Sequence, residues 1–327
     1  MNSFGTLFRL HIFGESHGPA VGIVIDNCKP GLAISAEDFI TDMNRRRGGR
    51  QEGTTSRTEA DIPEFLSGIN KGYTTGAPLT ILFRNENTRS EDYDGLKEIP
   101  RPGHADFVAE KKFNGFQDPR GGGHFSGRLT VCLVAAGVIA KKMLGQMAPE
   151  IVCTALIKEV GGLQDIDLAI KKAKEDNDSI GGIVECITSN IPSSLGEPFF
   201  DSFESVLSHI IFSIPAVKGV EFGSGFSAAK MKGSIHNDMI IDDSGKTASN
   251  NAGGISGGIT NGNEVVFRVA VKPTSSTPKI QNSYNKRSGT VEEFVIQGRH
   301  DLCIALRVPV VVEAVTNIVI TDFLLQS

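Results

Sequence analysis

The run from 129 to 144 constrains the fold of this chain more than any other feature of its sequence. The run is rich in leucine, valine, alanine and isoleucine and contains no proline. An apolar segment of this length predicts a buried helix rather than a strand. A second apolar run, from 308 to 325, predicts another buried helix, with its polar residues at the end.

Shorter patterns predict strands on both sides of the first run. The segments with strand character are 4–13, 21–26, 76–85, 151–157, 182–188 and 264–271. Glycine-rich turn chemistry between the first two favours a hairpin.

Three shorter helices are also predicted. Ser35 and Asp38 form a capping box for a helix that runs to about Asn44, and the segment 165–175 predicts a second one. Asp201 and Glu204 have the pattern of a capping pair for a third helix, which would end near Ser213. We interpret His209, inside that helix, as a core or interface residue rather than a ligand.

Composition limits the classes of protein that this chain can belong to. At 327 residues, with 39% hydrophobic and 22% charged residues, it has the length of one large or two ordinary globular domains. The net charge of −5 does not favour bulk nucleic-acid binding. Five scattered cysteines form no CxxC pair, so neither a disulfide framework nor a zinc site is indicated. No signal-peptide pattern and no apolar run of transmembrane length occur, so we expect a cytoplasmic protein without membrane contact.

The stretch from 101 to 130 concentrates arginines, histidines and a triple glycine ahead of the first apolar run. Gly121–Gly123 is expected to form the loop that opens the buried helix, where a ligand can approach the main chain closely. Arg120 and Arg128 flank this helix start, a position that disfavours cations. Two arginines there suggest a bound anion, although both also fit solvated loop residues.

Four other polar clusters carry candidate chemistry. His17 lies in a turn as a candidate acid or phosphate contact, or as a surface histidine. The arginines of 45–50 end a helix, where cations are favourable with or without a ligand. Residues 272–279 combine lysines, hydroxyls and prolines as a phosphate pocket or a polar turn. The polar segment 87–95 has the character of a mobile lid, and Arg299, His300 and Asp301 bring titratable groups next to the last apolar run.

Familiar motifs of other enzyme classes are absent from the sequence. It contains no GxxxxGK[ST], no GxGxxG after a strand, no HExxH and no GxSxG, which argues against P-loop, dinucleotide-fold, zinc-protease and hydrolase chemistry.

Seven motifs together resemble the chorismate synthase family, in the family's order and over nearly the whole chain. They are FGESHG (Phe13–Gly18), RRR-x-G (Arg45–Gly49), RPGHAD (Arg101–Asp106), RGGG (Arg120–Gly123), NAGGI-x-GGI (Asn251–Ile259), KPTSS (Lys272–Ser276) and GRHD (Gly298–Asp301). The resemblance implies one α+β domain over 1–327, a β-α-β sandwich with long helices between two antiparallel sheets, assembled as a homotetramer.

The resemblance also implies a lyase of the shikimate pathway, in aromatic amino acid biosynthesis. Such an enzyme converts 5-enolpyruvylshikimate 3-phosphate to chorismate and phosphate by 1,4-anti-elimination and needs reduced FMN, with no net redox change. The flavin would lend electron density and its N5 would take the proton. His17 would protonate the departing phosphate, His104 would protonate or stabilise the flavin, and Asp301, beside Arg299, would take a proton from N5.

Binding residues are implied in the same way. The arginines expected on the substrate anions are Arg46, Arg101, Arg128 and Arg299, because a guanidinium is planar and always charged. The FMN contacts carried over from the family are His124, Phe125, Ser126, Gly257, Lys272, Pro273, Thr274, Ser275, Ser276 and Arg299. No metal ligand is implied.

The sequence departs from the family pattern near these contacts. His124 and Phe125 replace the usual Arg-Ser, which would reshape flavin binding through that loop. Glu52 stands where some members have a second arginine, and Arg50 is the alternative for that role. The replacement favours an external flavin reductant over NAD(P)H. Pro215 stands where some members have Asn. Two rival functions are a phosphatase using histidine and arginine, and a nucleotide- or RNA-binding module, which the acidic net charge disfavours.

Overall fold

A computed structural model describes residues 2–49, 51–88, 98–296 and 298–327 of the chain. The strands are β1 (Ser3–Phe4), β2 (Leu10–Gly14), β3 (Ala20–Ile25), β4 (Glu64–Ser67), β5 (Ile69–Asn70), β6 (Tyr73–Thr74), β7 (Leu79–Arg84), β8 (Val152–Val160), β9 (Gly182–Ser189), β10 (Val217–Phe222), β11 (Ile255–Ser256), β12 (Ile259–Thr260), β13 (Val265–Val271), β14 (Gln281–Asn285) and β15 (Thr290–Phe294). The helices are α1 (Ile40–Arg46), α2 (Asp106–Phe113), α3 (Thr130–Met147), α4 (Ile166–Glu175), α5 (Phe203–Ile211), α6 (Gly233–His236) and α7 (Pro309–Gln326).

Two antiparallel sheets enclose the two long helices. One sheet has the strand order β1-β2-β3-β7-β4 and the other the order β10-β13-β9-β8. The helix α3 packs against β3 and β7, α7 packs against β8 and β9, and the two helices pack on each other. Both helices are buried on nearly every face because sheet or helix covers each side. This arrangement confirms the predicted α+β sandwich with long helices between antiparallel sheets.

Both predicted apolar helices are present, and their burial explains their composition. By length and composition alone, each could cross a membrane, so the expectation that no apolar run reaches transmembrane length was too strict. In the folded chain 78% of the apolar window of 127–147 and 72% of that of 309–326 are buried inside the protein. A helix that is buried on all sides in a protein core needs an apolar composition, just as a membrane-spanning helix does.

The strand predicted over 4–13 is interrupted. After β1 the chain turns at Gly5, and the backbone N–H groups of Thr6, Leu7 and Phe8 donate hydrogen bonds of 2.7–2.8 Å to the buried carboxylate of Asp322 in α7. The chain then re-enters the sheet as β2, which forms the predicted hairpin with β3. The acceptor that breaks the strand lies more than 300 residues away, beyond the reach of a local pattern.

Three local predictions are wrong in detail. The helix α5 is capped by the side chain of Ser202, which accepts from the N–H of Ser205, rather than by Asp201. His209, predicted as a core or interface residue, is exposed and meets the ring of Phe4 edge-on at 5.4 Å, so the core alternative is wrong. Gly121–Gly123 does not open the long helix: all three have positive φ (59°, 85° and 53°), and α3 begins only at Thr130.

Candidate active site

A cleft of about 510 Å³ opens at the N-terminal ends of the two central helices. The first residue of α3 and the first turn of α7 both line it, so the positive ends of two helix dipoles face the same space. Further lining comes from segments 46–48, 103–105, 124–128, 212–218, 272–276 and 299–301. Motifs far apart in sequence therefore converge on one cleft, and its backbone field favours anions.

Two arginines of the cleft share one buried carboxylate. Arg46, the last residue of α1, places Nη2 2.6 Å from Oδ2 of Asp61, and Arg128 donates from Nη1 to Oδ1 of the same side chain. Burial opposes ionisation of Asp61, but the two guanidinium groups outweigh it and lower the pKa of Asp61 to about 2. Burial also lowers the pKa of Arg46 to about 10, so Arg46 remains charged at neutral pH.

Asp106 organises the residues of the RPGHAD motif. It accepts from Nε of Arg101 at 2.7 Å and lies 2.5 Å from Nδ1 of His104. Despite burial, the hydrogen bonds from Arg101 and His104 hold the pKa of Asp106 well below its usual range. An ionised carboxylate only accepts, so this contact assigns the proton of His104 to Nδ1. The other ring nitrogen of His104, Nε2, lies on the edge of the ring that faces Gly122.

His17 lies directly behind the triple glycine. A Cβ placed on Gly121 would come within 2.0 Å of Nδ1 of His17, so the loop passes the imidazole at a distance that only glycine allows. His17 is 8% exposed. Burial, and after it the charges of Arg57 and Arg120, lower the pKa of His17 to about 4. In the free protein at neutral pH this histidine is therefore uncharged.

Asp301 is held by a residue that the sequence analysis did not select. Its carboxylate accepts from Nη1 of Arg307 at 2.9 Å and from the N–H of Thr55 at 2.8 Å. The expected charged neighbour, Arg299, instead donates to the side-chain and backbone oxygens of Asn87. Arg307, rather than Arg299, is therefore the cation that pairs with Asp301.

The KPTSS segment follows β13 and closes one side of the cleft. Lys272 and Ser275 both donate to the carbonyl oxygen of Gly103, and Ser276 accepts from Nη1 of Arg101 at 3.2 Å. These contacts fasten the segment to the RPGHAD loop. The hydroxyl of Thr274 is buried and has no hydrogen-bond partner among the described residues. A buried hydroxyl of this kind needs a polar partner from elsewhere.

The remaining predicted cofactor contacts divide between the cleft and a distant loop. His124, Phe125 and Ser126 line the cleft, although His124 donates from Nδ1 to the carbonyl oxygen of Gly14 at 2.8 Å. Gly257 lies exposed in the β11–β12 hairpin and does not line the cleft of a single chain.

Arg120, predicted at the helix start, bonds its neighbour Asp118 at 2.7 Å with its side chain partly exposed, as a solvated loop residue does. The predicted lid over 87–95 lies outside the described residues from 89 onward, as does Arg50.

Sequence reasoning missed the charged residues of the loop after α1. Arg57 bonds both Ser16 and Glu59, and Glu59 accepts from the backbone of Glu86 and Asn87. With Asp61, Arg57 and Glu59 form the RTEAD segment. The available signal was a cation and two carboxylates at every second position of that segment. Glu52, by contrast, pairs with Lys174 at the exposed surface.

The fold and the cleft define an α+β protein with a strongly cationic cleft. A family model described as Chorismate synthase matches residues 8–325. The chain is 61% identical to a chorismate synthase of Chitinophaga pinensis over 325 residues, which covers 99% of this chain and 97% of that protein. It is 43% identical to a chorismate synthase of Korarchaeum cryptofilum over 353 residues, covering 99% of this chain and 97% of the other.

A crystal structure of a chorismate synthase superposes with a TM-score of 0.75 at 25% identity, covering 98% of this chain and 93% of that one. The chain belongs to the chorismate synthase family, and the family match supports an enzymatic role.

Proposed function

We propose that the protein converts 5-enolpyruvylshikimate 3-phosphate to chorismate and phosphate by 1,4-anti-elimination with reduced FMN. The observation that carries the proposal is the convergence of the four predicted substrate arginines, His104 and Asp301 on one cleft, with His17 directly behind Gly121 of its lining. Family membership supplies the reaction class. The pathway, the shikimate route to aromatic amino acids, follows from the same proposal.

The charge of the cleft suits a substrate with two carboxylates and a phosphate. Nine cationic side chains and two carboxylates, Glu59 and Asp301, line it among the described residues. The cations are Arg46, Arg47, Arg57, Arg101, Arg128, Lys218, Lys272, Arg299 and Arg307. Guanidinium groups match carboxylate and phosphate oxygens in pairs. Asp61 and Asp106 neutralise part of this charge but also hold the arginines in place.

The residues present also fit FMN. Among the residues that the structure describes, the hydroxyl of Thr274 and Nε of Arg46 have no hydrogen-bond partner. Together with the polar segment 272–276 they offer donors to a phosphate-bearing cofactor. His124, Phe125, Ser126 and Arg299 would complete its surroundings, and Gly257 would contact it only from another subunit. Bound reduced FMN would supply electron density to the breaking C–O bond and a nitrogen base for the departing proton.

His17 is suited to act as an acid only after the substrate binds. Its neutral state in the free protein results from burial and from the nearby guanidinium groups of Arg57 and Arg120. A phosphate dianion placed between these groups would offset their charge and raise the pKa of His17. The imidazole would then carry a proton to the leaving oxygen at the moment when phosphate departs.

His104 and Asp301 have separate proton-handling roles in the proposal. Asp106 fixes Nδ1–H of His104, which leaves Nε2 to exchange a proton with the reduced cofactor. Asp301, held by Arg307 and Thr55, presents a fixed carboxylate that would accept the proton removed from the substrate by way of the cofactor. The rigid hydrogen bonds of both groups keep them in one orientation without cost at the reaction step.

An anaerobic assay with dithionite-reduced FMN and 5-enolpyruvylshikimate 3-phosphate tests the proposal by following chorismate absorbance. Asp301→Asn and His104→Asn should each lower turnover by about a hundredfold or more while FMN still binds. The matched control is Glu64→Gln, an exposed member of an ion pair outside the cleft. Full activity of both site variants would refute the assigned roles, and phosphate release without reduced FMN would favour a phosphatase.

The proposal extends to assembly and location. We expect a homotetramer in the cytoplasm, without nucleic-acid or membrane partners, because the resemblance and the acidic net charge point that way. Light scattering of the purified protein tests the tetramer. A monomer with full FMN affinity would contradict a contribution of Gly257 from a neighbouring subunit. The chorismate assay with NADPH in place of dithionite tests whether NADPH reduces the bound flavin. The Glu52–Lys174 pair favours an external reductant.

A further inference from the structure

A second, smaller cavity of about 40 Å³ shares His104, Ala105 and Phe125 with the lining of the main cleft. It is enclosed by the first turns of α2 and the turn that precedes the triple glycine. The lining residues that matter are His104, Asp106, Ala109, Glu110, Gln117 and Asp118. Polar side chains make up about half of the lining residues, and the volume accommodates about two water molecules.

Gln117 lines this cavity and carries an unsatisfied acceptor. Its Oε1 atom is buried and accepts no hydrogen bond from the residues that the structure describes. A buried amide oxygen without a partner is costly, by about 1–3 kcal/mol, unless water satisfies it. Gln117 belongs to none of the seven family motifs, so the site proposed above assigns it no role.

The imidazole of His104 lies where the two spaces meet. Within the RPGHAD motif, His104 and Ala105 line both the cleft and the small cavity. Its Nδ1 is held by Asp106, while its Cε1–Nε2 edge faces Gly122, where an added Cβ would lie 3.0–3.1 Å from these two ring atoms. Gly122 lines the small cavity and not the cleft. The glycine therefore keeps the free edge of the ring open toward the small cavity.

We propose that this cavity is a water-filled chamber through which His104 exchanges protons with solvent by a route separate from the substrate cleft. The inference rests on the proposed function, in which substrate and cofactor fill the cleft and screen His104 from solvent on that side. A second route then returns the histidine to its starting protonation state. Gln117 is the positioning residue that orders the chamber water.

The far side of the chamber reaches the protein surface. Glu110 lines it with a side chain that is 36% exposed and that pairs with Lys286. Asp118, which pairs with Arg120, lines it next to Gln117. Carboxylates at this end relay protons between bulk water and the chamber. The water between them and His104 needs two or more polar partners to stay ordered, and Gln117 and Asp118 supply these.

The transfer conserves protons and requires no further reactant. His104 releases the proton on Nε2 into the cleft, and a chamber water then donates a proton to the same nitrogen. That water regains a proton from a solvent acid by way of Glu110 or the neighbouring water. The Nδ1–H bond to Asp106 stays intact throughout, so the ring keeps its orientation.

Replacing Gln117 tests the route. Gln117→Leu keeps the volume and removes the acceptor, and Ala109→Val fills part of the chamber from α2. Each should lower kcat about tenfold, less than loss of a general acid itself, with KM unchanged and a larger solvent deuterium isotope effect on kcat. Gln117→Glu, which retains the acceptor, should restore most of the rate. The matched control is Lys111→Leu on the exposed face of α2, which should change neither parameter.

A crystal structure of the free protein separates this inference from the proposed function. Water hydrogen-bonded to Oε1 of Gln117 in the wild type, and absent in Gln117→Leu, supports the chamber even if the enzyme does not turn over the proposed substrate. A dry chamber in the wild type overturns the inference. In an active enzyme, a Gln117→Leu variant with unchanged kcat and isotope effect overturns it as well.

Discussion

Nη2 of Arg46 lies 2.6 Å from Oδ2 of Asp61, and the two side chains are only 3% and 0% exposed. The same carboxylate contacts Arg128, so one anion holds two guanidinium groups, one from the end of α1 and one from the turn before α3. Removing one partner of a buried ion pair leaves the other charge buried without compensation, which costs far more than the pair contributes at a surface. Asp61 is thus a structural requirement for the arginines that would contact the substrate.

Asp61→Asn should lower the free energy of unfolding by about 3 kcal/mol, because both arginines lose their counter-charge while remaining buried. Urea unfolding at pH 7 measures this change. Glu64→Gln, which breaks an exposed pair with Arg84, is the matched control and should cost at most about 1 kcal/mol. Equal losses in the two variants would contradict the special role of the buried carboxylate.

The contribution of Asp61 should depend on pH in a definite direction. Its pKa is about 2 in the folded protein, below the usual value of about 3.9 for an unfolded chain. The stabilisation by the ionised form is therefore complete above pH 4 and declines as the pH falls toward 2. The stability difference between wild type and Asp61→Asn should shrink over that interval. A difference that stays constant down to pH 2 would show that ionisation of Asp61 is not its source.

Gly121→Ala should displace His17. Gly121 has φ 59°, and an added Cβ would meet the ring of His17 at 2.0 Å. Gly115→Ala is the control, because Gly115 has φ 80° but open space around it. Both variants bear the cost of a left-handed alanine, about 1–2 kcal/mol. Only Gly121→Ala should also change the histidine's NMR titration and weaken binding of the phosphorylated substrate.

His17 should titrate near pH 4 in the free protein, and its pKa should rise when a phosphate ester binds. The cause of the low value is burial, reinforced by Arg57 and Arg120. Because the folded pKa lies below the unfolded one, the free energy of unfolding should decrease as the pH falls from about 6.5 to 4. In His17→Asn this part of the decrease should disappear. His11, which is exposed, provides the control substitution, and an identical pH profile for His17→Asn and wild type would refute the assignment.

The central helix pair depends on a close approach at Gly137. A Cβ there would come within 2.3 Å of Cβ of Ala314 in α7, so Gly137→Ala should destabilise the protein by about 1–3 kcal/mol through overpacking. Gly145, on the same helix, has open space, and Gly145→Ala should stabilise it by up to about 1 kcal/mol. Opposite signs in thermal or urea unfolding are the expected result; two stabilising substitutions would disprove the close packing.

The sequence predicted those elements whose cause is local. The apolar runs became α3 and α7, and the segment 165–175 became α4, with the side chain of Asp165 as its cap. The predicted strands after 20 were also found, with shifted ends. The strand over 4–13 was wrong because its interruption depends on Asp322, a residue at the other end of the chain.

The site was predicted only as far as its motifs reach. Resemblance selected His17, His104 and Asp301, and all three lie in or directly behind one cleft. It missed Asp61 and Arg307, since no spacing rule reveals which carboxylate a given arginine will pair with across the fold.

The sequence by itself determined the two buried helices, most of the strands and the family, since each depends on side-chain chemistry along a continuous segment. Only the tertiary structure decided which charges meet: Asp61 with Arg46 and Arg128, Arg307 with Asp301, and His104 with the chamber beside Gln117. The physical reason is that a buried ion pair or cavity depends on distances between residues tens to hundreds of positions apart, and packing of the whole chain sets those distances.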